Sequence, residues 1–271
     1  MDTSSIAGII LALVGILAGL IMEGGRIDQI LQPTSAMIVF GGTVGAVMLQ
    51  YPISTVLSAA RQLLRVFFVG QRKDIETLHQ ILAFAHKARK QGIVSLDQDL
   101  SGIGDPFLKQ AVMLAVDGTP TDELRKIMQL QLDNLTEHEE GIPAVFESAG
   151  GFSPTIGIIG AILGLIQVMQ HLNNIDMVGR GIAVAFVATI YGVASANLLF
   201  LPVAGKLRHR LHQEYRLRQM TIEGVISILE GMNPHMIEVK LGTYLETTKP
   251  KKSESGFRHE EEMSRTREAR V

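Results

Sequence analysis

Hydrophobic and polar positions fall in long blocks along this chain rather than being evenly mixed. Four blocks are apolar enough to read as membrane helices: Ile6 to Met22, Ala36 to Leu49, Thr155 to Met169 and Gly181 to Ala204. A span needs roughly 20 mainly apolar residues to cross a hydrocarbon core about 30 Å thick, a length these blocks reach or approach. Ala36 to Leu49 is the shortest. The last two blocks are close neighbours without a charge, since Ser153 to Gln167 has none and Gly181 to Gly205 is interrupted only by Thr189, Tyr191, Ser195 and Asn197. No basic residue precedes Ile6, and no small-x-small cleavage site follows, so the first block reads as a mature helix rather than a secretory signal.

Between the second and third blocks, Pro52 to Gly150 is an insertion of domain size whose apolar residues recur at helical spacing. Asp74 to Gln91 puts Leu78, Ile81, Leu82 and Ala85 on one face, with Gly92 as its stop. Asp105-Pro106 opens a second helix, closed by Asp117-Gly118. Thr121 is placed as the N-cap of a third, with Asp122 and Glu123 in its first turn, where the helix dipole favours them. Pro143 is expected to kink this helix rather than end it, because the apolar pattern resumes at Val145-Phe146. Lys206 to Gly231 reads as one long basic helix, and the stretch from about Thr247 to Val271 is too polar to fold alone. The pattern predicts an all-α integral membrane protein with four transmembrane helices, a large cytoplasmic insertion between helices 2 and 3, and a long helix after helix 4. Its divisions are residues 1–51, 52–150, 151–205, 206–246 and a charged tail over 247–271.

Charge orients these blocks. Lys and Arg are nearly absent from Glu23 to Gln32, which holds only Arg26, and from Asn173 to Arg180, which holds only Arg180. The bias puts both termini and the insertion in the cytoplasm, as for a multi-pass protein of the bacterial inner membrane. With 46% hydrophobic residues and 27 glycines the chain is too apolar and glycine-rich for an ordinary helical enzyme. A net charge of −2 argues against a nucleic-acid partner, and the lack of cysteine removes disulfides and thiolate metal sites. The eight histidines are scattered without metal-ligand spacing, and no phosphate-binding glycine motif or nucleophile–base pair is present, so neither a metal, a cofactor nor an enzyme is read here. Tyr51 at the end of the second block is one interfacial anchor in a chain without Trp.

The candidate chemistry lies in the apolar blocks and at one charged turn. Gly15 and Gly19, Gly41 and Gly45, Gly157, Gly160 and Gly164, and then Ala185, Ala188, Gly192 and Ala196 are small residues at helical spacing. Such stripes let backbones approach closely, within one subunit or between subunits; both readings are open. The Thr189 hydroxyl could serve a passing ion or water, or bond back to its own helix carbonyl. Pro154 fits the first turn of the third span, whereas Pro202 frees a carbonyl inside the fourth. Arg89 and Lys90 end a helix where its dipole favours cations, and Asp97 follows the turn, so this is a cap or a charged docking patch. A membrane potential acts on charge at about 2.3 kcal/mol per elementary charge per 100 mV, so an intramembrane carboxylate would be the simplest handle for ion-driven work. These blocks contain none.

Taken together these motifs resemble the MotA/TolQ/ExbB proton channel family, and within it the MotA branch of flagellar motor stators. The resemblance rests on the two-plus-two arrangement of spans around a cytoplasmic insertion and on the Arg89-Lys-Gln-Gly-Ile-Val-Ser-Leu-Asp97 segment. It also rests on Gly151-Phe-Ser-Pro154-x-x-Gly-x-x-Gly160, and on Ala188-Thr189-Ile-Tyr-Gly192 leading to Asn197 and Pro202. It implies a torque-generating subunit, five copies of which surround two copies of a single-span, peptidoglycan-binding MotB-like partner whose membrane aspartate carries the ion. It implies further that Thr189 faces that aspartate, that Pro154 and Pro202 couple ion passage to movement, and that Arg89 and Asp97 meet the rotor protein FliG. Asp97 stands where the family usually has glutamate, which keeps the charge but shortens its reach. Sodium-driven members tend to carry Thr where this chain has Ala161, so the resemblance implies a proton rather than sodium as coupling ion. An ExbB- or TolQ-like energiser is the nearest rival, against which the paired first spans weigh; a passive membrane scaffold is the other.

Overall fold

A computed structural model describes residues 3–65 and 74–245, and all regular structure among them is helical. The chain runs as α1 (Thr3–Met22), a 3-10 turn (Ile27–Ile30), α2 (Pro33–Ala36), a π-helical stretch (Met37–Gly41), α3 (Gly42–Gln50) and α4 (Ile53–Arg65). It continues as α5 (Asp74–Gln91), a 3-10 run (Ile93–Gly102), α6 (Pro106–Val116), α7 (Thr121–Gln170) and α8 (Ile175–Ala194). A second π-helical stretch (Ser195–Phe200), α9 (Leu201–Leu229) and α10 (Pro234–Gly242) complete it. Among the described residues, three helical runs are long and apolar enough to cross a membrane, Ile27–Gln50, Thr121–Gln170 and Ile175–Leu229, and α1 adds a shorter apolar stretch, Ala7–Met22.

Local signals account for most helix ends. The Asp105 carboxylate accepts from the Phe107 N–H at 2.9 Å with Pro106 in the first turn, and Asn174 caps α8 by accepting from the Met177 N–H at 3.2 Å. α5 stops at Gly92 with φ +83°, and α9 at Gly231 with φ +69°, where the Met232 N–H reaches back to the Ser227 carbonyl. Three expectations are corrected. Thr121 is the first helical residue of α7 rather than its cap, and the Pro120 carbonyl accepts from Leu124. α7 is one 50-residue helix that continues through both Pro143 and Pro154, so Pro154 is an interior proline and not a first-turn one. The basic helix after the fourth apolar block is not separate either, because the helical run is unbroken from Ile175 to Leu229. The charged tail from Thr247 lies outside the described residues.

The described residues divide into two compact units, one within 1–72 and 126–218, the other within 73–125 and 219–271. In the first, Val47, Ala59, Phe146, Ala149, Val203 and Leu207 form a buried cluster from the ends of the apolar helices. Tyr51 edges this cluster, and its hydroxyl donates to the Ala144 carbonyl at 3.0 Å while lying 2.9 Å from Ser148 Oγ, so its polar end is held by α7. Further along the same unit, the largely buried Arg218 takes Glu214 at 2.6 Å and Glu139 at 3.8 Å. Burial and then the Glu214 charge push the Glu139 carboxyl above its usual range, against the pull of Arg218 and His138.

In the second unit Ile81, Leu108, Ala111, Ile226, Ile237 and Leu241 are fully buried. Gly224 admits Ile81, whose Cγ2 lies 2.8 Å from where a β-carbon would stand. An ion cluster ties three helices of this unit: Glu223 on α9 accepts from Arg125 on α7 and from Lys240 on α10, the latter at 2.7 Å. Burial alone would raise the Glu223 carboxyl, but the hydrogen bonds and charges of Arg125 and Lys240 together outweigh it and hold the group below its usual value. A depressed carboxyl stabilises the folded state above its ordinary value of 4.5 and loses that contribution as pH falls through the lowered one. Helicity of detergent-solubilised protein, followed by circular dichroism, is therefore expected to weaken under acid below about pH 4.5. Glu223→Gln should be less stable at neutral pH, because two cations are left uncompensated, and its stability should respond less to acid.

Candidate functional site

Where α7 and α8 cross, their backbones come closer than any side chain would allow. A β-carbon on Gly157 would stand 2.9 Å from the Ala188 carbonyl oxygen, and one on Gly164 would stand 2.7 Å from the Gly181 oxygen. At Gly160 it would meet the Ala188 methyl at 2.7 Å, and at Gly192 the Ser153 carbonyl oxygen at 2.6 Å. Distances below about 3 Å to backbone atoms leave no room to adjust, so glycine is required by space here rather than by backbone angle. Contact among Gly157, Gly160, Gly164, Ala188 and Gly192 is thus internal to one subunit. Gly15, Gly19, Gly41 and Gly45, in contrast, face open space within the chain.

Pro154 belongs to this crossing, its Cα 3.2 Å from the β-carbon position of Gly192. Having no N–H, it leaves the Gly150 carbonyl, four residues back, without its helical donor. Gly150 in turn packs on Leu201, the residue before Pro202, at 2.6 Å from its β-carbon position. Pro202 follows the π-helical stretch Ser195–Phe200 with only Leu201 between them, and the Leu201 N–H bonds five residues back to the Ala196 carbonyl. The same spacing would give the Asn197 carbonyl the N–H of residue 202, which proline lacks. The structure therefore brings Pro154 and the neighbourhood of Pro202 to one side of the same helix pair.

Thr189 is half-buried beside Gly157, and its hydroxyl donates to the Ala185 carbonyl at 3.1 Å. The local back-bond is thus made, and the oxygen's lone pairs remain able to accept. Ala161 is half-buried on α7. Next to Pro154, the fully buried Ser153 has its Oγ 2.6 Å from Ser195 Oγ. Ser195 itself lies 2.6 Å from the Tyr191 carbonyl and 3.2 Å from that of Gly192. The Tyr191 hydroxyl donates to the Ile30 carbonyl at 2.6 Å, and Ser35 on α2 donates to the Val184 carbonyl at 3.1 Å, so α8 also holds the start of the second apolar run.

Arg89 and Asp97 belong to the other unit, at the end of α5 and in the following 3-10 run. Both are exposed, and among the described residues neither enters an ion pair. Their segment is braced instead by Lys87 and Asp99, 2.7 Å apart. Arg89 edges a groove of about 220 Å³ lined by Ala85, Ala88, Ile93, Leu229 and Met232. Among the described residues no three His, Asp or Glu side chains converge as a metal site would require.

Known proteins match this architecture along most of its length. The model of the MotA/TolQ/ExbB proton channel family matches residues 100–220, and that of the motility protein A N-terminal region matches 6–92. Motility protein A of Bacillus subtilis is 35% identical over 246 residues, 90% of this chain and 91% of the relative. The chain belongs to the MotA/TolQ/ExbB proton channel family. Within it the chain is a flagellar stator subunit of the MotA branch, a multi-pass membrane protein. Among solved structures, C. jejuni MotAB superposes with a TM-score of 0.87 at 32% identity, covering 94% of this chain and all of that one. The flagellar MotAB stator complex of Bacillus subtilis gives 0.83 at 34% identity, over 90% of this chain and 96% of that one.

For this MotA-branch chain, sequence reasoning missed the Ser153–Ser195 contact, both π-helical stretches, the Lys87–Asp99 brace and the Glu223 cluster. Ser153 and Ser195 carried a usable signal: each is a hydroxyl inside an uncharged apolar run, where a polar group needs a partner. The glycine crossing yields a direct test. Gly192→Ala is expected to reduce the level of folded protein in the membrane severalfold, since a methyl cannot fit 2.6 Å from the Ser153 oxygen. Gly205→Ala, where nothing lies within 4 Å, is expected to accumulate like the parent. Quantitative immunoblotting of membranes reads both.

Proposed function

We propose that this stator subunit passes protons together with a MotB-like, peptidoglycan-binding partner and converts their flow into rotation of the rotor. The observation that carries the reading is the uncharged, glycine-locked crossing of α7 and α8, which holds the half-buried Thr189 hydroxyl beside Gly157 and supplies no acid of its own; in this reading that hydroxyl is the ion-facing polar group. A partner carboxylic acid, once protonated, can donate to the Thr189 oxygen, whose own proton is occupied on Ala185. Once ionised it can draw that proton from the Ala185 carbonyl. Thr189 can therefore serve both charge states by rotating its hydroxyl. Ala161, with no oxygen to replace sodium's hydration shell, favours the proton over sodium, and no resident cofactor is needed.

In this reading α1, the run ending in α3, and the apolar parts of α7 and α8 make four transmembrane helices. Twenty residues in α1 rise about 30 Å, enough for the hydrocarbon core. Both termini are cytoplasmic on the Lys and Arg bias, in the bacterial inner membrane. Exposed apolar side chains such as Leu11 on α1 and Phe186 on α8 suit lipid or neighbouring subunits in a homo-oligomer, which we take to be a pentamer around the partner. Pro154 and Pro202 act as compliant points between the ion path and the cytoplasmic helices. Arg89 and Asp97, exposed and without ion-pair partners among the described residues, form the charged face toward FliG. Chemistry of an enzymatic kind has no place in this cycle. An ExbB- or TolQ-like energiser is disfavoured by the match of residues 6–92 to the motility protein A N-terminal region.

Tethered cells lacking their own stators, supplied with this chain and its genomic partner, test the reading. Rotation is expected to persist without sodium and to stop with a protonophore; a sodium requirement would overturn the proton assignment. Thr189→Val is expected to abolish rotation at normal membrane levels. Charge reversal at Arg89 or Asp97 should lower torque while leaving ion conduction in place, and partial recovery on reversing both the Arg89 charge and a rotor acid would identify the docking partner.

A further inference from the structure

The Ser153–Ser195 contact is unusual in its position. Ser153 directly precedes Pro154, Ser195 is the first residue of the π-helical stretch, and between them lies the α7–α8 crossing whose other contacts are non-directional. Among the described residues, the polar groups around Ser195 Oγ besides Ser153 are the Tyr191 and Gly192 carbonyls, at 2.6 and 3.2 Å, which can only accept. With the Ser195 proton on the nearer, Tyr191 carbonyl, its oxygen is left to accept from Ser153 across the 2.6 Å gap, the direction taken here.

A buried donor is costly to strand, so a contact that opens must offer its proton elsewhere. Ser153 has such a place. The Gly150 carbonyl lies three residues back on the same helix and lacks its usual donor because Pro154 has no N–H. Rotation of one hydroxyl about χ1 would exchange the inter-helix acceptor for this local one, with one hydrogen bond made in either state.

We propose that Ser153 and Ser195 are positioning residues of the motor cycle: their hydroxyl pair is a catch between α7 and the π-helical stretch that opens as Ser153 turns to the Gly150 carbonyl and closes again with each step. This rests on the stator reading above. The catch holds the proline-flanked segment in one register between steps, and its low-cost open state lets that segment shift register beside the closed glycine seam.

The chain has no cysteine, so the doubly substituted Ser153→Cys/Ser195→Cys chain can be cross-linked cleanly in the tethered-cell assay. Oxidation with copper phenanthroline is expected to join the two thiols, as verified by mass spectrometry, and to stop rotation; dithiothreitol should restore it. A joined pair with rotation unchanged would make the contact static and overturn the proposal, as would failure of the thiols to join. Ser153→Ala and Ser195→Ala give a second readout. Each should slow rotation by a similar factor, about fivefold for the loss of one typical hydrogen bond, with the double variant no slower than either. Parent-like speed in all three would overturn the catch. Absence of rotation by the unsubstituted chain with its partner would instead count against the stator reading itself.

Discussion

Close approach of two backbones is the constraint on which the rest of this structure depends. Lipid tails are as apolar as leucine, so helices in a membrane gain little from hydrophobic burial and must associate through dispersion and hydrogen bonds. Dispersion falls steeply with distance, and only glycine removes the side chain that would hold two helices apart. Gly157, Gly160, Gly164, Gly181 and Gly192 do this along one seam, with β-carbon positions at 2.6–2.9 Å from the facing atoms. The seam sets the rotation of α8 about its own axis. That rotation places Thr189 beside Gly157, and Ser195 against Ser153.

A second constraint comes from the absence of water. Every polar side chain in the apolar runs must find a partner, and carbonyls supply most of them. Thr43 donates to Val39, Thr189 to Ala185 and Asn197 to Val193, each within its own helix, while Ser35 and Tyr191 join different segments through Val184 and Ile30. The result is a membrane portion without charge in its apolar runs, in which no described buried side-chain nitrogen or oxygen lacks a partner. Such a portion offers hydroxyls and carbonyls but no carboxylate, which is why the proposed mechanism draws its acid from outside the chain.

Much of the fold was legible in the sequence because local chemistry decides it. Asp74–Gln91 ends at Gly92, Asp105-Pro106 opens α6, and Gly231 closes α9, all where capping residues announce them. The features that escaped were decided by packing. A proline after a glycine pair reads locally as a helix start, yet α7 continues through Pro154 because the seam with α8 offsets the lost hydrogen bond. The π-helical stretches leave no compositional mark, since they differ from α-helix by one residue of register. Arg125, Glu223 and Lys240 are far apart in sequence, and nothing in their spacing predicts that they meet. For Arg89 and Asp97 the geometry adds exposure and lack of ion-pair partners among the described residues, while Arg89 keeps its place in the last turn of α5.

In the proposed cycle, compliance is set jointly by the π-helical stretch before α9 and by the two prolines that flank it in space. A π turn sets its hydrogen bonds one residue further back than an α turn, so a run of six such residues can revert to α-helix only by rotating the helix beyond it through about one residue, roughly 100°. Ordinarily that change would break a ladder bond at the junction. Here Pro202 has already removed the N–H that would bond to the Asn197 carbonyl, and Pro154 has done the same for Gly150 on the facing helix. Both gaps flank the contact of Gly150 with Leu201. Register can therefore shift at this level with fewer bonds to break than in the unbroken helix on either side, while the glycine seam beyond it stays closed. The proposed cycle in this way concentrates the compliance of the α7–α8–α9 assembly at one level of the helix pair.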